Sequence, residues 1–311
     1  MIINPFPELE ELLVNGSHPP TPRLLHLLEE MQIGYKDLGD KIVIDPSLEP
    51  FDETKIMLEL ADALSPSESV RFEIYRDIGS TNEHVLANVE YGQLYICLAE
   101  HQTAGRGRRG RRWISPFGHN LYLSIGCYLQ GPLEAFGGLS LLVGMRAVDV
   151  LRELGLSDVG LKWPNDLILD RGKLGGILIE FKSQEDHGVG VVVGIGINLR
   201  MNDHHASQID QNWSATESYV NLSRNVLAGR LSARLIETLR EFDRHGFGNY
   251  LSRWQDYNLF AGQEVIVKRG SEHFIGIDRG IDEKGNLLLD TGGVMQRHNA
   301  GEVSLRPISD H

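Results

Sequence analysis

The sequence predicts an α+β protein: a central mixed β-sheet covered by helices over residues 65–260, a small β-barrel over 261–311, and a small separate unit over 1–64. Three observations support this. From Phe72 onward, apolar runs rich in β-branched and aromatic residues, bounded by Gly, Asp or Asn, alternate with helical patterns. Two long segments repeat apolar residues at spacings of three and four, which gathers them on one helix face. Beyond residue 260, short apolar runs are separated by glycine-bearing turns, the pattern of a small barrel.

In the first unit, "ELEELLVNG" reads as a short helix and "TPRLLHLLEEMQ" as a second, with Thr21 as N-cap and Pro22 at the first helical position. "KDLGDKIVI" is a turn leading into a strand, and "DPSLEPFD", with two prolines and three acids, reads as a linker. On that reading, residues 1–60 can be deleted without loss of activity, unless the unit packs on the rest. The sheet strands are "FEIYRDI", "LYICLAE", "LYLSIGCYL", "LILDRGKLGGILIEF" and "GVVVGIGIN". One covering helix carries Phe136, Leu139, Val143, Ala147, Val150 and Leu154. The other is capped by Ser223, carries Leu227, Leu231, Leu235, Leu239 and Phe242, and ends near Gly246. "EVIVKRG", "HFIGIDRG", "NLLLDTGG" and "EVSLRP" supply four barrel strands.

Composition narrows the class. With 41% hydrophobic and 23% charged residues the chain is an ordinary globular protein rather than a disordered one. The N-terminus has no basic stretch followed by an apolar one, so no secretory signal is expected. Residues 135–155 are the most apolar stretch, yet Arg146, Asp149, Arg152 and Glu153 interrupt it, which makes it a core helix. Cys97 and Cys127 lie in apolar runs, as buried free thiols of a cytoplasmic protein do.

Against a net charge of −13, "GRGRRGRRW" (105–113) concentrates five arginines among three glycines. Glycines let the backbone wrap closely around a ligand, and arginine recognises carboxylate or phosphate with two parallel bonds. Trp113 adds a flat apolar surface. The loop therefore suits a small anion bearing a ring system better than a nucleic acid, which would want more positive charge nearby. In "LKWPNDLIL", Pro164 cannot donate to a ladder, so the strand must bulge or break there and gather Lys162, Asn165 and Asp166. "GKLGGILIE" puts Lys173 at the mouth of a strand, with Gly175 and Gly176 permitting close approach. Taken singly, each has a plain structural explanation. Their co-occurrence with "DIGSTN" and with "GIGIN", which ends in Asn198, favours a site. The histidines form no ligand pattern, and "DHHAS" reads as a loop rather than a metal centre.

"STN", "AEHQTAGRGRRGRRWISPFGHNLYLS", "LKWPNDL", "GKLGGILIE" and "GIGIN", in this order, resemble the biotin protein ligases, and the match extends through "YLSRW" to "GEVSLR". The resemblance implies a class II synthetase-like biotin/lipoate ligase fold with an SH3-like C-terminal barrel. It also implies a two-step reaction: Mg-ATP activates biotin to biotinyl-5′-adenylate, and biotin then passes to one lysine of a biotin carboxyl carrier protein domain. By the same resemblance, Ser80, Thr81, Asn82 and Gln102 with Gly105, Arg106 and Gly107 line the biotin pocket. Trp113 and Asn198 contact adenine. Arg108, Arg111, Lys162 and Lys173, with Asn165 and Gly176 beside them, meet the accumulating negative charge. Asp166 accepts or orients the acceptor lysine's proton, Glu302 and Arg306 reach toward the nucleotide, and the arginine loop acts as a lid. No protein ligand for a metal ion is implied. The alternatives are a bifunctional ligase that also represses biotin-synthesis genes and, less favoured, a lipoate or octanoate ligase or transferase of the same superfamily.

The repressor alternative meets two obstacles. A helix-turn-helix of the repressor type needs three helices, and this chain has room for two before its apparent wing, so the unit reads as a degenerate winged helix. Residues 1–50 hold three basic residues against nine acidic ones, a net −6 where DNA binding needs phosphate neutralisation. No specific DNA binding is expected. The sequence does not fix the oligomeric state; a homodimer is one outcome.

Overall fold

The computed structural model describes residues 1–184, 188–201 and 207–300, together with the backbone of 304–307. Its first strand, β1 (Ile2–Ile3), pairs in parallel with β5 (Ser69–Tyr75) at the edge of the main sheet, a role the sequence did not signal. Helices α1 (Pro7–Asn15) and α2 (Pro22–Glu30) follow, the latter capped by Thr21, whose hydroxyl accepts from the Leu24 amide at 3.1 Å. The two helices pack on a three-stranded sheet of β2 (Ser17–His18), β4 (Ile42–Ile44) and β3 (Tyr35–Asp37) in that spatial order. Leu9, Leu12, Leu24, Leu28 and Ile42 form its core, into which Phe117 from the far side of the chain inserts.

The main sheet has eight strands. β5 leads through α4 (Thr81–Asn88) to its parallel neighbour β6 (Gln93–Ala99). β7 (Leu121–Leu129), β11 (Gly188–Ile197), β10 (Gly172–Gln184), β9 (Asp166–Leu169) and β8 (Gly160–Lys162) continue it antiparallel. One face is covered by α5 (Leu139–Glu153) and α6 (Arg224–His245), whose apolar stripes are buried as the spacing requires. The expected caps of α6 are both present: Ser223 accepts from the Val226 amide, and Gly246 ends the helix. "LKWPNDLIL" breaks completely, becoming the β8–β9 hairpin with Lys162 opposite Asp166 and a cis Trp163–Pro164 peptide in the turn.

The C-terminal sheet runs β15 (Met295–His298), β14 (Leu287–Asp290), β13 (Glu272–Ile281), β12 (Glu264–Arg269), β16 (Ser304–Pro307). β15 was not foreseen, because "MQRH" lacks the apolar alternation that marked the other four. Cys97 is fully buried, and burial pushes both thiols up, that of Cys127 to about 12. No described helix is long and apolar enough to cross a membrane.

The "DPSLEPFD" stretch is not a loose tether. Phe51 and the helix after it, α3 (Glu53–Leu60), bury Phe51, Ile56 and Leu60 in the same core as the main sheet. An ionic network reinforces the join. Glu100, at the end of β6 and 0% exposed, accepts from Arg76 at 3.1 Å and from Arg224 at 2.8 Å. Its Oε1 also takes the Phe51 amide. Arg76 reaches on to both carboxylate oxygens of Glu10 in α1, and Arg224 to the backbone oxygens of Glu49 and Asn120.

The unit packs on the rest of the chain, the case excepted from the expectation that residues 1–60 can be removed: deletion would take away β1, α3, Glu10 and Phe51 and uncover the groups they bury. The truncated chain should lose solubility or melt well below the full chain. Glu100→Ala, which leaves two buried arginines without their shared carboxylate, should cost about 3–5 kcal/mol in denaturant unfolding. An unchanged midpoint would refute the role assigned to the network.

Candidate active site

The parallel β5–α4–β6 crossover places the first turn of α4 at the floor of a cleft. Ser80 caps that helix, which leaves Thr81 and Asn82 facing inward. A directional chain of hydrogen bonds then lines the wall. Ser124 donates to Thr81 Oγ1 at 2.8 Å, and Thr81 donates from its hydroxyl and its amide to Gln102 Oε1 at 3.2 and 2.9 Å. The Gln102 amide donates to Ser115 at 3.0 Å, which donates to the Trp113 carbonyl at 3.1 Å. The wall is buried and polar.

The arginine loop folds over this cleft as a tight turn. Trp113 and Gly105 pair through N–H and carbonyl at 2.9 Å, Gly107 donates to the Arg111 carbonyl at 2.7 Å, and Arg109 sits at φ +60°. Gly105 is required: a Cβ there would lie 2.5 Å from the Trp113 carbonyl oxygen. The loop also has partners that the sequence did not reveal. Arg106 pairs with Glu180 at 3.1 Å; Arg108 donates to Asn165 Oδ1 at 2.9 Å and to the Ala300 carbonyl of the barrel. Burial lowers the Arg108 pKa, aided by Arg111 and Arg109 and opposed by Asp166, yet a guanidinium remains charged.

Behind the loop, the β8–β9 hairpin brings Asp166 between two cations. Its Oδ1 meets Lys173 Nζ at 2.8 Å and its Oδ2 meets Lys162 Nζ at 3.0 Å. Burial pushes the Asp166 carboxyl up, but Lys173 and then Lys162 outweigh it and hold it below the usual carboxylate range. Burial lowers the Lys173 ammonium despite Asp166, with Lys162 and Arg111 adding to the fall. Asn165 docks on β10 through its carbonyl and its amide, both bonded to Ile177, which fixes the hairpin tip against the sheet.

Two clefts meet here, with Trp113 between them. The ring lies on β10 and β11 where those strands carry glycine: a Cβ on Gly196 would come within 2.6 Å of the indole. On one side is a cavity of about 690 Å³, mouth included, walled by Ser80, Thr81, Asn82, Gln102, Arg106 and Gly107. On the other side a cleft is walled by Asn198, Met201, Gln211 and Trp213. Arg111, Trp113 and Lys173 line both, and Arg108, Asn165 and Gly176 the first. Asn198 donates from its side-chain amide to the carbonyls of Lys173 and Ser214. Gly105, Lys162 and Asp166 stand behind the walls as supports.

Sequence reading missed Glu180, Ser124, Arg112 and Gln211. Glu180 could have been found: it alternates with Gly176 and Leu178 along one strand face. Ser124 and Gln211 belong to no recognisable pattern. Glu302, the Arg306 side chain and most of "DHHAS" lie outside the described residues. Among the described residues no group of His, Cys, Asp and Glu could hold a metal ion.

Comparison with known proteins agrees with this geometry. The Biotin/lipoate A/B protein ligase family profile matches residues 76–198, and the Biotin protein ligase C terminal domain profile matches 260–306. The chain is 44% identical over 234 residues to the bifunctional ligase/repressor BirA of Escherichia coli (strain K12), covering 74% of this chain and 72% of that protein. It is 32% identical over 267 residues to the biotin--[acetyl-CoA-carboxylase] ligase of Mycobacterium tuberculosis, covering 82% and 95%. The solved biotin protein ligase from Aquifex aeolicus in complex with biotin and ATP superposes with a TM-score of 0.64 at 29% identity, over 76% of this chain and 99% of that one. With the arginine loop, the β8–β9 hairpin and the Lys173 strand all in place around paired clefts, the chain belongs to the biotin protein ligase family.

Proposed function

We propose that the chain forms biotinyl-5′-adenylate from biotin and ATP and transfers biotin to a lysine of a biotin carboxyl carrier protein. The observation that carries this is the pair of clefts sharing Lys173, Arg111 and Trp113. Biotin occupies the cleft walled by Thr81, Asn82 and Gln102, and adenine the cleft walled by Trp113 and Asn198. The biotin carboxylate and the ATP α-phosphate then meet at the shared cations.

Two anions approach each other in that step, and cations fixed beforehand stabilise the charge that builds up, without reorganisation. Lys173, pinned by Asp166, is such a group; Arg108 and Arg111 close the anion from the loop side. Closure also excludes water, which would hydrolyse a mixed anhydride. In the second step the acceptor amine must arrive unprotonated. A carboxylate held below its usual pKa is a weak base, so the two lysine contacts support an orienting role for Asp166. Asp166 is already engaged by two ammonium groups, so Mg²⁺ enters this reading as part of the ATP substrate, with no protein ligand assigned.

The repressor activity named for the Escherichia coli relative is not proposed here. Residues 1–50 carry net −6, and α1 points Glu10 into the Arg76 network. The chain should show no saturable, sequence-dependent, adenylate-enhanced binding to DNA upstream of biotin-synthesis genes at about 0.15 M ionic strength, where charges are screened beyond roughly 8 Å. A gel shift showing such binding would restore the bifunctional reading.

Lys173→Ala should slow biotin-dependent pyrophosphate exchange by roughly 10²–10³, the cost of removing one preorganised charge-stabilising group. Near-normal exchange would remove Lys173 from the reaction. Because the Lys173 pKa is lowered, its charge is lost as pH rises through a value below lysine's usual 10.5, so wild-type exchange should decline earlier on the alkaline side than titration of a free lysine would give.

Asp166→Asn should leave two buried ammonium groups facing each other, destabilising the fold by about 3–5 kcal/mol. The sign follows from the lowered carboxyl pKa. The wild-type contribution is present above the unfolded value of 3.8 and lost as pH falls through the folded one, so the two proteins should converge in stability only in strong acid. Parallel pH–stability curves would refute this.

A further inference from the structure

Strand β10 turns Gly176, Leu178, Glu180 and Lys182 to one face, and α4 lies across it. The two charged residues grip opposite ends of that helix. Lys182 Nζ donates to the carbonyls of Ala87 and Val89, both at 3.4 Å, where α4 ends. Glu180 Oε2 receives the Asn82 side-chain amide at 2.6 Å in the first turn. A carboxylate at the N-terminal end and an ammonium at the C-terminal end match the helix dipole.

The Glu180 contact also settles a choice that Asn82 cannot make alone. An asparagine side chain offers an acceptor at one corner and a donor at the other, and rotating it by a half-turn exchanges them. An ionised carboxylate only accepts. The Asn82 NH₂ must therefore face Glu180, which turns Oδ1 to the pocket side, 3.2 Å from the Ser124 hydroxyl. The other carboxylate oxygen, Oε1, pairs with Arg106 of the arginine loop at 3.1 Å. One side chain thus touches the pocket wall and the loop that covers it.

We propose that Glu180 is a positioning residue that sets which corner of Asn82 faces the pocket and tethers Arg106, so that a single carboxylate registers wall and loop together. The inference rests on the biotin reading, since a cyclic urea carries N–H donors that need acceptors in fixed places.

The test uses full-length wild type, Glu180→Ala and Glu180→Gln in biotin-dependent pyrophosphate exchange and in limited trypsin cleavage without ligand, with the thermal midpoint measured to confirm folding. Glu180→Ala should raise KM for biotin about tenfold, the size of one lost charge-assisted hydrogen bond, while KM for ATP and kcat stay within about twofold. It should also speed cleavage after Arg106. Glu180→Gln can still accept from Asn82 through its amide oxygen, so it should recover most of the biotin KM but not the slow cleavage, which needs the negative charge.

A wild-type biotin KM in Glu180→Ala overturns the proposal. So does a rise in both KM values together, which marks general loss of structure, or unchanged cleavage after Arg106. If the wild type itself shows no biotin-dependent exchange, the biotin reading fails instead, and the cleavage comparison still decides the tether.

Discussion

Glu100 is the constraint on which the rest of the molecule depends. A carboxylate with no access to water is tolerated only when its charge is matched and its lone pairs are filled, and here two arginines and a backbone amide do both. Each partner comes from a different part of the chain: Arg76 from the end of β5, Arg224 from the start of α6, Phe51 from the approach to α3. Satisfying one group therefore fixes three elements relative to the sheet. It also fixes the loop that begins two residues later, at Gln102, whose side chain is the midpoint of the pocket's hydrogen-bond chain. The geometry of the cleft is set from beneath by a charge that never meets a ligand.

This explains why the N-terminal unit is more than a leftover of a winged helix. Its acidic character, which argued against phosphate contact, has a partner inside the molecule. Glu10 lies against Arg76, whose hydrogen bonds hold the Glu10 carboxyl below its usual range. Phe117 completes the unit's core from the opposite side of the join. The unit and the sheet share both apolar and ionic contacts.

Much of this was legible in the sequence, and the parts that were not share a reason. The covering helices were readable because α5 and α6 repeat apolar residues at a regular spacing and α6 carries Ser223 and Gly246 at its ends. The break at Pro164 was readable because proline removes a donor from any ladder. The gathering of Lys162, Asn165 and Asp166 at the break was readable, but the arrangement of Asp166 as a carboxylate between the ammonium groups of Lys162 and Lys173 was not, because it depends on the hairpin register. β1 has two residues and no alternation to detect. Glu100 and Glu180 were hidden for the same cause: a single acid in an apolar strand looks like a solvated edge until the arginines that face it, far away in the chain, are folded into place.

The position of Trp113 has a thermodynamic consequence. Its ring, with Lys173 and Arg111, is a party wall between two binding sites, so a ligand on one side that steadies the wall does part of the ordering for the ligand on the other. The entropy lost in fixing that wall is lost once. Linkage then makes the effect reciprocal: whatever factor the first ligand adds to the affinity of the second, the second returns to the first, irrespective of which arrives earlier.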